Sequence, residues 1–135
     1  MLRMLLLFVR WPCILVMIPL LAACGPDPAD APGSAATRAS MARADPKLGQ
    51  RLITQYQCGS CHAIPGVAAA RGRLGPSLQA FGKRSYIAGH VPNSPDALAQ
   101  WLVAPASLVP DTAMPSMGVS QEDARHMAAY LGQLE

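Results

Sequence analysis

Five consecutive residues constrain this chain more than any other stretch: Cys58-Gly59-Ser60-Cys61-His62. On a helical turn, residues three apart share a face, so both thiols can point at one object. His62 follows at once and can swing its imidazole beneath whatever the thiols hold. A tetrahedral zinc site would need two further ligands, and there is no second C-x-x-C and no paired histidines. A thioredoxin-like redox pair needs a βαβ setting, and strand signals are nearly absent. A plain disulfide in an oxidising compartment stays open as an alternative, but it leaves His62 without a role.

C-x-x-C-H is the spacing that attaches a c-type haem. Cys58 and Cys61 can form thioethers with the two vinyl groups of one porphyrin, and His62 can serve as the proximal ligand. The small residues Gly59 and Ser60 are expected to let the haem edge come close to the backbone.

The chain carries four cysteines, and the other two belong to its N-terminal region. Arg3 and Arg10 precede an apolar run over 11–21, followed by the small residues Ala22 and Ala23. That is the layout of an export signal, interrupted by Pro12 and Pro19 and too short for a membrane span. An uncleaved N-terminal anchor is the alternative. Leu21-Ala22-Ala23-Cys24 resembles the bacterial lipoprotein box, which implies acylation of Cys24 and removal of residues 1–23 with Cys13 among them. Acyl chains would hold the protein on a membrane, each buried methylene contributing about 0.8 kcal/mol. Residues 24–44 are rich in Ala, Pro, Gly and Ser, with Met41 their only large apolar residue after Cys24. They read as a flexible linker, with a weak Ala-rich helix from Ala35 to Ala44 as the alternative. Residues 45–135 form the folded domain. Their charges nearly balance, and part of the overall +3 sits in the signal, so nothing points to nucleic acid.

Within 45–135 three helices are expected. The first starts at Asp45-Pro46, with Leu48, Leu52 and Tyr56 in register. A middle one covers about 94–103. The last begins at Ser120 with a capping-box-like Asp123, and Ala124, Met127, Leu131 and Leu134 form its apolar stripe.

The order CGSCH, LGPSL, QWLVAPASLVPDTAMP and a terminal helix ending in AAYL resembles the class I c-type cytochromes over essentially all of 45–135. The resemblance implies a small all-α fold packed around one covalent haem c. It implies that Pro76 accepts a hydrogen bond from His62 through its carbonyl, and that Leu78 and Leu102 touch the haem. Thr112 would bond a propionate, and Met114 would be the distal ligand. Trp101 stands where many members have a tyrosine near the thioether. Arg84 or Lys83 could pair with a propionate. Gly49 and Tyr130 would mark the crossing of the terminal helices. Met117 is expected to pack as a lid and Met127 in the core. His90 and His126 are expected to be partly exposed, with no special role.

No nucleophile–base pair, paired carboxylates or phosphate loop is present. The reading is a single-electron carrier of a respiratory or related chain, not an enzyme. It would be lipid-anchored on the periplasmic side of a bacterial membrane. Its expected partners are a terminal oxidase or a quinol–cytochrome c reductase. The alternatives are an electron-entry subunit of one dehydrogenase or oxidase complex, or a gas-binding haem domain with a labile Met114.

Overall fold

The computed structural model describes residues 32–135, of which 36–135 form one compact unit. The expected signal over 1–23, Cys24 and the start of the linker lie outside the described residues. Over its described part the linker is helical, as the alternative reading of 35–44 had it. Helix α1 spans Pro32–Ala42, as its alanine content favours. Met41 near its end packs against the core.

Helix α2, Pro46–Gln55, begins where the sequence places it. The Asp45 carboxylate caps it by accepting from the Lys47 N–H at 2.8 Å, and Pro46 occupies the first turn, where its missing N–H costs nothing. Its buried face is Gly49, Leu52 and Ile53, with Leu48 and Tyr56 at the margin. Gln57, in left-handed conformation (φ 54°), turns the chain sharply into a 3₁₀ turn at Cys58–Ser60.

A long loop then returns to the attachment turn through an isolated bridge between Ala63 and Arg71. After a second 3₁₀ turn at Phe81–Lys83, strands β1 (Tyr86–Ile87) and β2 (Val91–Pro92) pair antiparallel, Ile87 opposite Val91. This small hairpin was not expected. Its turn carries Ala88 and Gly89 at positive φ (48° and 86°), the geometry that matches the strand twist.

Helix α3 spans Pro95–Val103 with the Ser94 hydroxyl as cap, and the short α4 spans Pro105–Leu108. Helix α5, Gln121–Leu131, is capped by Ser120 Oγ, which accepts from the Asp123 N–H at 3.1 Å. Ala124, Met127, Ala128 and Leu131 are its buried face, while Leu134 lies past its end and is only partly buried.

Helices α2 and α5 cross closely and α3 packs on α5, giving a small all-α fold. Ile53, Ala124 and Met127 are fully buried at the centre, and no polar side chain is buried among the described residues. The crossing is made at Gly49, where a Cβ would run into the backbone of His126 and Met127. Tyr130 lies a turn further on and donates its hydroxyl to the Pro65 carbonyl, closing the loop onto α5. His126 also has a structural task that its exposure hid: its Nδ1 accepts from the Asp45 N–H at 2.8 Å, fastening the start of α2 to α5. No described helix is long and apolar enough to cross a membrane.

Candidate functional site

The core is hollow beside the Cys58–Ser60 turn. A cavity of about 340 Å³ lies there, walled by α2, α3, α5, the hairpin and two loops. All nine cavity residues expected from the sequence line it: Cys58, Cys61, His62, Pro76, Leu78, Trp101, Leu102, Thr112 and Met114. Cys24, the expected lipid site, lies outside the described residues.

The pentapeptide is held from both sides. The Cys61 and His62 N–H groups both donate to the Cys58 carbonyl, at 3.3 and 3.1 Å, which sets both half-buried thiols toward the cavity. The thiols are free, not joined in a disulfide. Burial pushes the Cys58 thiol above its ordinary value, and the neighbouring Cys61 adds to the shift. His62 Nδ1 lies 2.7 Å from the Pro76 carbonyl oxygen. A carbonyl can only accept, so Nδ1 is the donor in this contact, which points Nε2 away from Pro76.

Gly59 and Ser60 are not among the residues that line the cavity. A Cβ on Gly59 would lie 2.5 Å from Ala70 Cα, so this glycine makes room for the returning loop. The Gly72 N–H completes the contact by donating to the Gly59 carbonyl at 3.0 Å. Ser60 points out and donates to the Gln57 carbonyl.

Met114 comes from the loop between α4 and α5. The Thr112 hydroxyl accepts from the Met114 N–H at 3.2 Å, and Ser116 donates to the Val103 carbonyl at 3.1 Å, tying that loop to α3. Thr112 thus shapes the Met114 turn, and its hydroxyl proton remains available to an acceptor. Met117 is not a lid: it is 41% exposed and does not line the cavity. His90 is exposed at the hairpin turn, also away from the cavity.

Several wall residues escaped the sequence reading as cavity residues. Met127 was expected in the core, whereas Ile53 was not singled out among the residues of the first helix. Ile87 arrives through the unforeseen hairpin, and Phe81 through the 3₁₀ turn. Arg84 reaches the cavity with its guanidinium donating to the Ser77 and Gln79 carbonyls and lying over the Phe81 ring, 5.5 Å from the centroid. Lys83 stays outside.

The cavity fits a porphyrin by its chemistry. Its walls are apolar side chains, two thiols lie three residues apart on its rim, and an imidazole and a thioether enter from separate loops. A family model described as cytochrome c matches residues 46–135. The subunit 2 protein of cytochrome c oxidase from Alkalihalophilus pseudofirmus is 34% identical over 88 residues, which is 64% of this chain and 25% of that protein. The corresponding Bacillus subtilis protein is 31% identical over 86 residues, 62% of this chain and 24% of its own length. The chain therefore spans about a quarter of these curated relatives. No solved structure matches. The match over 46–135, together with the attachment turn and the cavity it borders, shows that the chain belongs to the cytochrome c family, whose members transfer electrons through haem.

Proposed function

We propose that the protein is a single-electron carrier holding one haem c, attached through Cys58 and Cys61 and ligated by His62 and Met114. The observation that carries this is one apolar cavity bounded by both thiols, the His62 imidazole and the Met114 loop. The haem supplies a one-electron couple between ferric and ferrous iron. The chain does the rest. The Pro76 carbonyl accepts a hydrogen bond from His62 Nδ1–H, which would leave Nε2 to bind iron. The soft Met114 thioether and the apolar walls raise the potential. If His62 and Met114 both bound the iron, no coordination position would stay open for a substrate. Thr112 and Arg84 border the cavity and suit the propionates.

We place this domain on a membrane through lipid at Cys24, exported to the periplasmic side and exchanging electrons with a terminal oxidase or a quinol–cytochrome c reductase. Similarity to the two oxidase subunit 2 proteins favours a second reading, a subunit that works within one oxidase assembly.

The test is optical. Met114→Ala should abolish the iron–sulfur charge-transfer band, open the iron to carbon monoxide and lower the potential, while Met117→Ala should do none of these. Loss of the band in the Met117 variant alone would overturn the ligand assignment. Ready carbon monoxide binding by the native protein would favour an open gas-binding site instead.

A further inference from the structure

Gly75 lies against the His62 ring more closely than any side chain could. A Cβ built at this position would be 2.3 Å from Cε1, 2.6 Å from Nδ1 and 2.9 Å from Nε2. All three distances are below any ordinary carbon contact, so the backbone of residue 75 packs directly on the imidazole face. Neither partner can readily retreat. The Gly75 N–H donates to the Cys61 carbonyl at 2.8 Å, and the His62 N–H donates to the Cys58 carbonyl at 3.1 Å. The ring is held at its Nδ1 edge by the Pro76 carbonyl, one residue beyond Gly75.

We infer that Gly75 is a positioning residue that fixes the plane of the His62 ring, acting with the Pro76 carbonyl as a two-point clamp. The hydrogen bond alone fixes the tautomer and one edge, but it leaves the ring free to pivot about that edge. Gly75 blocks the pivot on one face. This inference rests on the reading of His62 as an axial ligand, because a ligand's ring plane then sets how its orbitals overlap those of the iron. An alanine at 75 forces either the ring to rotate or the backbone to withdraw. Either movement lengthens the Nδ1–H···O bond to Pro76, makes the imidazole a weaker donor and moves the potential upward.

Gly82 supplies the control. A Cβ there would lie 2.2 Å from the Gly132 carbonyl oxygen and 2.9 Å from its carbon, an equally severe backbone clash against the end of α5 and away from the attachment turn. The experiment compares holoprotein of wild type, Gly75→Ala and Gly82→Ala by ferric electron paramagnetic resonance, redox titration and urea unfolding. Gly75→Ala should change the g-value spread of the low-spin signal and raise the potential. Gly82→Ala should lose stability with both readouts unchanged. If the two variants alter the g-values alike, or neither does, Gly75 has no orienting role of its own. If Gly75→Ala fails to fold, the wild-type ferrous protein decides by NMR: a cross-peak between the Gly75 α-protons and the His62 ring supports the clamp, and its absence overturns it. A wild type without a histidine-ligated low-spin signal would instead refute the axial-ligand reading itself.

Discussion

Gly49→Ala tests whether the α2–α5 crossing holds the fold together. The added methyl would sit 2.0 Å from the His126 carbonyl oxygen, 2.5 Å from its carbon and 3.0 Å from the Met127 nitrogen. These are helix backbone atoms and cannot turn aside as a side chain can. A carbon–oxygen contact needs about 3.3 Å, so the helices must part by about 1 Å. Parting them loosens Leu52 and Ile53 from Ala124 and Met127 and stretches the 2.8 Å bond from the Asp45 N–H to His126. Overpacking of this kind costs up to about 3 kcal/mol, and the weakened hydrogen bond adds about 1 kcal/mol. Better helix propensity returns about 1 kcal/mol. The expected net loss is about 3 kcal/mol, a large share of the ~5–15 kcal/mol that holds a small domain together. In a domain of this size that lowers Tm by about 15 °C. Trp101 is the one tryptophan in 45–135 and borders the cavity, so its fluorescence should stay quenched by haem until the chain unfolds. Urea and thermal unfolding followed by this signal, with far-UV circular dichroism, give the number. Gly132→Ala, whose Cβ would meet nothing closer than 3.3 Å, should change little. A loss below about 1 kcal/mol in Gly49→Ala would refute the claim that this crossing tolerates only glycine.

Three further outcomes are expected. Tyr56 donates its hydroxyl to Asp123 Oδ2 at 2.7 Å, and this bond, then burial, raises its pKa above 10.0. The folded state therefore holds this proton more tightly than the unfolded state does. The contribution is fully present below pH 10 and is lost as pH rises through the folded value, so Tyr56→Phe should flatten the alkaline fall in the urea midpoint, and parallel curves would refute it. Arg71→Glu with Arg73→Glu should slow electron transfer to a membrane partner at low salt, with spectrum and potential unchanged; rates equal to wild type across a salt series would exclude these arginines from docking. Cys24→Ser should abolish acylation and leave uncleaved precursor or soluble cytochrome with an intact spectrum, read by mass spectrometry of the native N-terminus. A native chain starting at an unmodified residue other than Cys24 would end the anchor proposal.

The parts legible in the sequence are those whose physics is local. The attachment turn is set by spacing within five residues. The starts of α2, α3 and α5 are written in Asp45-Pro46, Ser94-Pro95 and Ser120 with Asp123, because a cap acts over three or four residues. The nine expected cavity residues come together because short motifs place them in fixed chain order. What stayed hidden depends on partners far along the chain. The hairpin has two-residue strands, too short for any alternation to register. The Asp45–His126 bond joins residues 81 positions apart, and Gly59 and Gly75 owe their identity to a loop that folds back over the attachment turn.

Charge shows the same division, and it bears on how partners are met. No acidic residue occurs over 62–91, so the sequence presents Arg71, Arg73, Lys83 and Arg84 as one basic group. The fold separates them. Arg84 is partly buried, with two carbonyls and the Phe81 ring engaging its guanidinium beside the cavity. It is thereby drawn from the outer surface to the cavity wall. Arg71, Arg73 and Lys83 remain exposed, and Leu74, next to Arg73, is 89% exposed while also bordering the cavity. Long-range attraction needs exposed charge, whereas close approach at a cavity mouth needs a surface that sheds water easily. On this chain the two properties fall on adjacent residues of one loop. Reversing Arg71 and Arg73 should therefore alter the salt dependence of encounter, while truncating Leu74 should slow transfer at every salt concentration.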